Sequence, residues 1–135
     1  MRFVDTNVIL YAISSNPDDE EKKRVAYDIL LAPDLAFSTQ VLQEFYVQAT
    51  RTTRADHLAH QQAVDLITGF TRFPVQATSL ELVRAALTAG ERYRISYWDA
   101  AIIEAARMLG CEEVLSEDLN HGQSFDGTVV VNPFR

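Results

Sequence analysis

Four carboxylates are the side chains of this sequence best placed to do chemistry. Asp5 follows a short apolar segment, Asp118 follows another that ends at Ser116, Asp99 stands early in an expected helix, and Glu44 has apolar neighbours on a helix. Carboxylate oxygens select hard cations such as Mg²⁺ or Mn²⁺, and paired metals activate water for phosphodiester cleavage. Four acids in one cleft would repel one another unless cations were bound. Their combination therefore indicates metal-dependent hydrolysis, with these acids as metal ligands and catalytic residues.

Each acid also has an ordinary structural interpretation. Ser96 stands three residues before Asp99, a capping-box spacing worth about 1 kcal/mol. Asp5 could cap the helix that begins near residue 7, and Asp118 could be a turn residue. Glu44 could point outward into solvent, as most glutamates do. For each acid alone these alternatives stay open, and only the combination favours a site.

Short strands alternate with helices along the chain. The pattern predicts strands at residues 2–5, 35–38, 75–77, 113–116 and 128–131, and helices at 8–12, 18–32, 39–50, 54–73, 78–93 and 96–109. Several strands are apolar throughout, which is typical of a parallel sheet covered on both faces. We therefore expect a helix-rich, three-layer α/β/α sandwich with a mainly parallel sheet. Asp5 and Asp118 would lie at the carboxyl ends of strands, where such folds bind ligands.

Length and composition bound the class of protein. A chain of 135 residues with 47% hydrophobic and 23% charged residues fits one domain over residues 1–135. Its net charge of −7 excludes a globally basic nucleic-acid binder, although bound divalent cations would offset more than half of that charge. The single cysteine excludes an internal disulfide and a cysteine-built zinc site. With no long apolar run and an early Asp5, we expect a soluble, cytoplasmic protein.

Four parts of the sequence, in chain order, resemble those of PIN-domain nucleases. They are residues 3–11 (Phe-Val-Asp-Thr-Asn-Val-Ile-Leu-Tyr), Glu44, residues 98–102 (Trp-Asp-Ala-Ala-Ile) and residues 115–118 (Leu-Ser-Glu-Asp). The likeness spans nearly the whole chain, and Val-Asp-Thr-Asn is its most specific part. More narrowly, the sequence resembles the VapC-type toxins of bacterial toxin–antitoxin modules.

The resemblance implies a role for individual residues. The family's first three acids correspond to Asp5, Glu44 and Asp99. Its fourth position, commonly Thr/Ser-x-Asp, matches residues 116–118, which favours Asp118 over Glu117. Asn7 and Ser116 would orient carboxylates or water. The sequence after the fourth acid departs from the family's usual Asp-Phe, which leaves any ligand role of Asn120 and Asp126 open.

The same resemblance implies an activity and partners. It implies a PIN-like fold and an endoribonuclease that uses one or two Mg²⁺ or Mn²⁺ ions, restrained by a cognate antitoxin protein. It also implies a homodimer, for which the apolar residues 8–12 and the helix at 18–32 could supply surface. The substrate would be RNA of unspecified sequence.

Further residues and other functions complete the sequence-based expectations. Arg51 and Arg54 follow the Glu44 helix and could contact substrate phosphates. Trp98 could stack on a base, although packing against the sheet is the favoured prediction. A phosphorylatable receiver domain is excluded because both lysines stand on one early helix. A catalytically silent PIN-like binding module and a PIN nuclease unrelated to toxins remain the alternatives.

Overall fold

Strands and helices alternate along most of the chain in the computed structural model, which describes residues 1–135. The six strands are β1 (Arg2–Val4), β2 (Leu35–Ser38), β3 (Val75–Gln76), β4 (Glu113–Leu115), β5 (Ser124–Phe125) and β6 (Thr128–Val131). The six α-helices are α1 (Thr6–Ala12), α2 (Glu20–Leu30), α3 (Thr39–Ala49), α4 (His60–Phe70), α5 (Leu80–Tyr93) and α6 (Tyr97–Met108). None of these helices has the length and apolar character that a membrane crossing requires.

The strands form one sheet in the order β3-β2-β1-β4-β6-β5. Every neighbouring pair is parallel except β5 and β6, so the predicted mainly parallel sheet is confirmed. The chain moves outward from β1 to β3 and then crosses back to β4, on the other side of β1. Because such crossovers are right-handed, α1 to α4 cover one face of the sheet and α5 and α6 the other. This gives the expected three layers.

The reversal in strand order fixes where a ligand can bind. β1 and β4 are neighbours whose connections leave in opposite directions, which opens a crevice beyond their carboxyl ends. Val4 is paired with Leu115 in the ladder, so Asp5 and Ser116 follow at the same level. The Asp5 amide donates to the Leu115 carbonyl at 3.0 Å and extends this pairing. The ends of two strands far apart in sequence thus meet at one point.

The core is built from the strands and the inner faces of the helices. Phe3, Phe37 and Val114 on neighbouring strands are completely buried, as continuous apolar strands require. On α6 every residue from 100 to 106 is buried, including four alanines that allow close approach to the sheet. Val8 and Ile9 of α1 also belong to this core, so α1 offers little of the free apolar surface that its composition suggested.

Three elements differ from the prediction. The helix expected at 54–73 begins only at His60 and ends at Phe70, and it is preceded by turns and a bend over residues 52–56. The helix expected at 18–32 begins with a short 3₁₀ helix, Pro17–Asp19, and its α-helical part ends at Leu30. The strand β5 was not predicted, because two residues carry no measurable periodicity. Its turn to β6 uses Asp126 and Gly127, both with positive φ, the conformation of a type I′ hairpin.

Candidate functional site

Asp5 stands at the point where β1 turns into α1. The carboxylate is only 9% exposed, and its Oδ1 accepts a hydrogen bond from the Thr6 amide at 2.7 Å. It therefore caps α1, as the ordinary interpretation held. Its other oxygen, Oδ2, accepts from the Ser116 hydroxyl at 2.7 Å and from the Asn7 side-chain amide at 3.4 Å. Capping uses one oxygen, and the second links β1 to the end of β4.

The electrostatic setting of Asp5 is unfavourable for a charge. The pKa of Asp5 is raised from 3.8 to about 6, chiefly by burial and also by the nearby carboxylates of Glu44 and Asp118, while the hydrogen bonds from Ser116 and Thr6 act in the opposite direction. No lysine, arginine or histidine lines the cavity around Asp5. The site consequently holds negative charge that the protein itself does not neutralise.

Glu44 faces Asp5 across Thr6. The Thr6 hydroxyl donates to Glu44 Oε2 at 2.9 Å, while the Thr6 amide donates to Asp5. The Gln40 side-chain amide, one helical turn before Glu44 on α3, donates to Glu44 Oε1 at 3.1 Å. The solvent-facing alternative for Glu44 is therefore wrong, because its half-buried side chain is fixed towards the end of β1.

Asp118 is brought to the same place by the loop after β4. The Asn7 side-chain amide donates to Asp118 Oδ2 at 3.2 Å and lies 3.3 Å from Ser116 Oγ. The Asp118 amide donates to Ser116 Oγ at 3.2 Å, and the Glu117 amide donates to Asn7 Oδ1 at 3.1 Å. Asn7 and Ser116 thus connect Asp5 to Asp118 through hydrogen bonds.

Asp99 lies in the first turn of α6. Its amide donates to Ser96 Oγ at 3.1 Å, so Ser96 caps the helix as the spacing predicted. The carboxylate of Asp99 takes no part in that cap and makes no hydrogen bond within the protein. Gln40, which bonds Glu44, also donates to the Trp98 carbonyl at 3.3 Å and so ties α3 to the start of α6.

All four acids line one cavity of about 170 Å³ at the crevice between β1 and β4. No three of the chain's acids, histidines and cysteines stand close enough to hold one ion in this arrangement. The donor set nevertheless fits a hard cation, because it offers carboxylate oxygens and contains no basic side chain. The lining residues are Asp5, Thr6, Asn7, Leu10, Gln40, Glu44, Gln48, Trp98, Asp99, Ile102 and Asp118.

Glu117, the other candidate for the fourth acid, is held outside this cavity. The Lys22 ammonium contacts its Oε2 at 2.7 Å, and the Tyr11 hydroxyl donates to its Oε1 at 2.5 Å. Burial alone would raise the pKa of Glu117, but the hydrogen bonds from Lys22 and Tyr11 outweigh burial and lower it. Glu117 therefore has partners of its own, and Asp118 is the member of this pair that lines the acid cavity.

The remaining candidates divide between the site and the surface. Arg54 lines a second cavity of about 230 Å³, which shares Asn7, Leu10 and Asp118 with the first. Its guanidinium contacts Asp56 at 2.5 Å and donates to the Leu10 carbonyl at 3.4 Å. Arg51 is exposed and lines neither cavity.

Two further candidates lie elsewhere, and one expectation is wrong. Asn120 bonds Gln123, and Asp126 faces Arg92 and Arg107, so neither lines the acid cavity. Trp98 does not pack against the sheet as favoured from the sequence. Its side chain is 65% exposed at the cavity.

Two polar residues of the site, Thr6 and Gln40, were not singled out in the sequence. Thr6 joins Asp5 to Glu44, and Gln40 joins Glu44 to the Trp98 carbonyl. A usable signal existed for Gln40, because residues four apart share a helix face and Gln40 precedes Glu44 by one turn. Thr6 stands within the Val-Asp-Thr-Asn segment of the resemblance, but that segment assigned its side chain no role, since the contact with Glu44 depends on how α1 and α3 pack.

Comparison with known proteins places the chain among related folds. Residues 2–123 match the family model described as PIN domain. No curated protein sequence matches the chain. A toxin–antitoxin complex from Klebsiella pneumoniae has a TM-score of 0.72 and 19% identity, over 98% of each chain. A VapC toxin of Mycobacterium tuberculosis, described as cleaving the sarcin–ricin loop, has a TM-score of 0.66 and 20% identity, over 87% of this chain and 92% of its own. DNA-bound VapBC from Salmonella typhimurium has a TM-score of 0.63 and 18% identity, over 96% and 95%.

Proposed function

This chain belongs to the PIN domain family, and from that premise we propose that it is a Mg²⁺- or Mn²⁺-dependent endoribonuclease that hydrolyses RNA phosphodiester bonds. The observation that carries the proposal is the cavity between β1 and β4, which four carboxylates line without any basic side chain. A fold retains such uncompensated charge chiefly to bind cations. The unfavourable burial of ionised Asp5 supports the same conclusion.

The proposed ligands of one or two ions are the four acids that line the cavity, namely Asp5, Glu44, Asp99 and Asp118. A bound divalent ion supplies an activated water and neutralises charge on the phosphate. Asp99 needs no hydrogen bond broken to reach an ion. Asn7 and Ser116 hold Asp5 and Asp118 in fixed orientations, and Thr6 and Gln40 do so for Glu44. Ligation requires Asp5 to be deprotonated, so its raised pKa makes binding pH-dependent.

A path for the RNA strand is suggested by the second cavity. It continues from Asn7 and Asp118 towards Arg54, whose guanidinium is fixed by Asp56 and the Leu10 carbonyl. A phosphate beside the scissile bond could contact Arg54 there. Arg51 is exposed outside both cavities and would act only as a surface charge. The substrate-contact proposal is therefore stronger for Arg54 than for Arg51.

We further propose that the protein is the toxin of a toxin–antitoxin pair, cytoplasmic and homodimeric, and restrained by a cognate antitoxin. The likeness to toxin–antitoxin complexes and VapC folds supports this. Because α1 is mostly buried, an interface near it would have to use exposed side chains of the following segment, such as Tyr27 and Leu31. Co-purification with the product of an adjacent gene, and the mass of the free protein, would test these partners.

A catalytically silent PIN-like binding module is the second candidate. The observation that favours it is that no three acids stand within reach of one ion as the side chains are arranged. Purified protein incubated with mixed RNA and Mg²⁺, with EDTA as control, separates the two functions. Metal-dependent cleavage supports the nuclease, whereas RNA that is bound and left intact supports the binding module. Mapping RNA ends after brief induction in cells would then identify the cleaved sequence.

A further inference from the structure

Trp98 has a large aromatic side chain that is exposed to solvent beside the acid cavity. It is 65% exposed, whereas the neighbouring residues 100–106 of α6 are all buried against the rest of the protein. It also lines the cavity together with Asp99, the next residue in the chain. Exposed aromatic surface at a functional cleft commonly marks a binding contact. Nothing in the core or in the acid cluster requires a tryptophan at this position.

The backbone and ring of Trp98 are held in place. Ser96 caps α6 through the Asp99 amide, and the Gln40 side chain donates to the Trp98 carbonyl at 3.3 Å. The indole and the Tyr97 ring meet edge to face, with centroids 5.1 Å apart and planes at 83°. A pre-ordered aromatic loses little conformational freedom when it binds a ligand. Trp98 therefore presents an ordered aromatic surface to a ligand.

The acidic setting decides what kind of ligand suits this surface. The cavity has no lysine, arginine or histidine with which to attract a phosphate backbone. Stacking of a base on an aromatic ring needs no charge complementarity and contributes affinity for every base. A tryptophan beside acids thus offers a contact to an RNA base in the part of the site that has no basic side chain.

We propose that Trp98 is a substrate-contact residue whose ring stacks on an RNA base next to the scissile phosphate. This inference rests on the proposed ribonuclease function and names a residue that would hold its substrate. In a duplex both faces of each base are covered by its neighbours, so a base must be unpaired or splayed out to stack on protein. Trp98 and Asp99 line the same cavity, so a base stacked on Trp98 would lie beside the proposed metal-binding acids.

A fluorescence titration tests the stacking without any need for turnover. Trp98 is the only tryptophan in the chain, so intrinsic emission reports on this side chain alone. The Asp118→Asn variant, which we expect to be inactive, would be titrated with a ten-nucleotide oligoadenylate and with the duplex it forms with oligouridylate, in Mg²⁺. Saturable quenching by the single strand, with little by the duplex, is expected. Binding of the single strand, detected by anisotropy of an end label, with unchanged tryptophan emission would overturn the proposal.

Cleavage kinetics provide the second test. Trp98→Leu should weaken apparent affinity for a single-stranded RNA by roughly 5-fold to 100-fold, the usual contribution of one stacked base. Trp98→Phe should restore most of this loss because it keeps an aromatic face. Leu87→Ala is the matched control, since Leu87 is 59% exposed on α5 and lies outside the cavity.

The outcomes separate this inference from the proposed function. If wild type fails to cleave RNA in Mg²⁺, the nuclease assignment fails, while the titration still decides whether Trp98 stacks on a base. If Trp98→Leu cleaves RNA as wild type does, the nuclease stands and the stacking proposal is wrong. Unchanged cleavage together with an altered oligomeric mass would assign Trp98 to a protein interface and overturn the proposal equally.

Discussion

The Ser116 hydroxyl donates a hydrogen bond to Asp5 Oδ2 at 2.7 Å, across 111 residues of sequence. The parallel pairing of β1 with β4 makes this contact possible, because both residues follow their strands at one level. The same hydroxyl oxygen accepts from the Asp118 amide, so it joins two of the acids. This serine is fully buried, and its hydrogen bond opposes the rise in the pKa of Asp5 that burial causes.

Ser116→Ala should shift the pH dependence of metal binding. The hydrogen bond from Ser116 lowers the pKa of Asp5, so its loss should raise that pKa and move the acidic limb of Mn²⁺ binding to higher pH. The variant should also lose about 1–3 kcal/mol of stability, because buried partners are left unsatisfied. Mn²⁺ titrations followed by calorimetry between pH 5 and 8 would measure the shift.

The matched control for this variant is Ser38→Ala. Ser38 is 1% exposed and its hydroxyl accepts from the Val41 amide at the start of α3, so its loss should cost comparable stability. Ser38 makes no hydrogen bond to Asp5, so Ser38→Ala should leave the pH dependence of Mn²⁺ binding unchanged. An equal shift in both variants would mean that general destabilisation, and not the contact with Asp5, is responsible.

Asp5→Asn should reveal the cost of ionising a buried acid in metal-free protein. The pKa of Asp5 is about 6 in the folded protein, against an ordinary value of 3.8 that represents the unfolded chain. The folded state therefore binds the proton more tightly. Well below pH 3.8, Asp5 is protonated in both the folded and the unfolded state, and the protein loses no stability through it. As pH rises from 3.8 to 6 the wild type loses stability, and above pH 6 the loss is complete at about 3 kcal/mol.

Denaturant unfolding in EDTA at pH 4 and pH 7 measures this effect. The stability of Asp5→Asn relative to wild type should increase between the two pH values by the amount lost by Asp5. A difference between the two proteins that does not change with pH would show that Asp5 is not held in an unfavourable charged state.

Glu117→Gln and Asp118→Asn should differ strongly in their effect on RNA cleavage. Glu117 is paired with Lys22 and Tyr11 outside the acid cavity, so its replacement should cost about 0.5–1 kcal/mol and keep RNA cleavage within a few-fold of wild type. Asp118 lines the cavity, so its replacement should reduce cleavage by orders of magnitude. Initial rates at saturating Mg²⁺ compare them, and equal losses would place Glu117 in the site as well.

Asp99→Asn should separate metal binding from helix capping. The side chain keeps its shape and loses one negative charge, so the metal-free variant should be at least as stable as wild type. Wild type should gain about 2.7 kcal/mol at a hundredfold excess of Mn²⁺ over its Kd, and the variant much less, with cleavage reduced by orders of magnitude. Melting temperatures with and without Mn²⁺ measure the gain, and an active, metal-stabilised Asp99→Asn protein would exclude Asp99 from metal binding.

The sequence alone determined the sheet class and the four candidate acids. The segments Leu35–Ser38 and Thr128–Val131 coincide with strands in the structure, and all four residues of the first are buried, because burial on both faces favours apolar side chains at successive positions. The start of α6 was also readable, since Ser96 and Asp99 have capping spacing and the cap is formed. These features depend on local chemistry, which is written directly in the order of residues.

Only the tertiary structure decided how the acids are held and which of their neighbours face the cavity. Glu117 and Asp118 are adjacent in sequence, yet the packing of α1 and α2 supplies Tyr11 and Lys22 to Glu117 alone. Trp98 has a large aromatic side chain of the kind usually found in a core, yet it lies exposed at the cavity. Such outcomes depend on contacts between elements far apart in the chain. A residue's own type and near neighbours do not specify those contacts, because the order of the strands in the sheet and the packing of the helices on it create them.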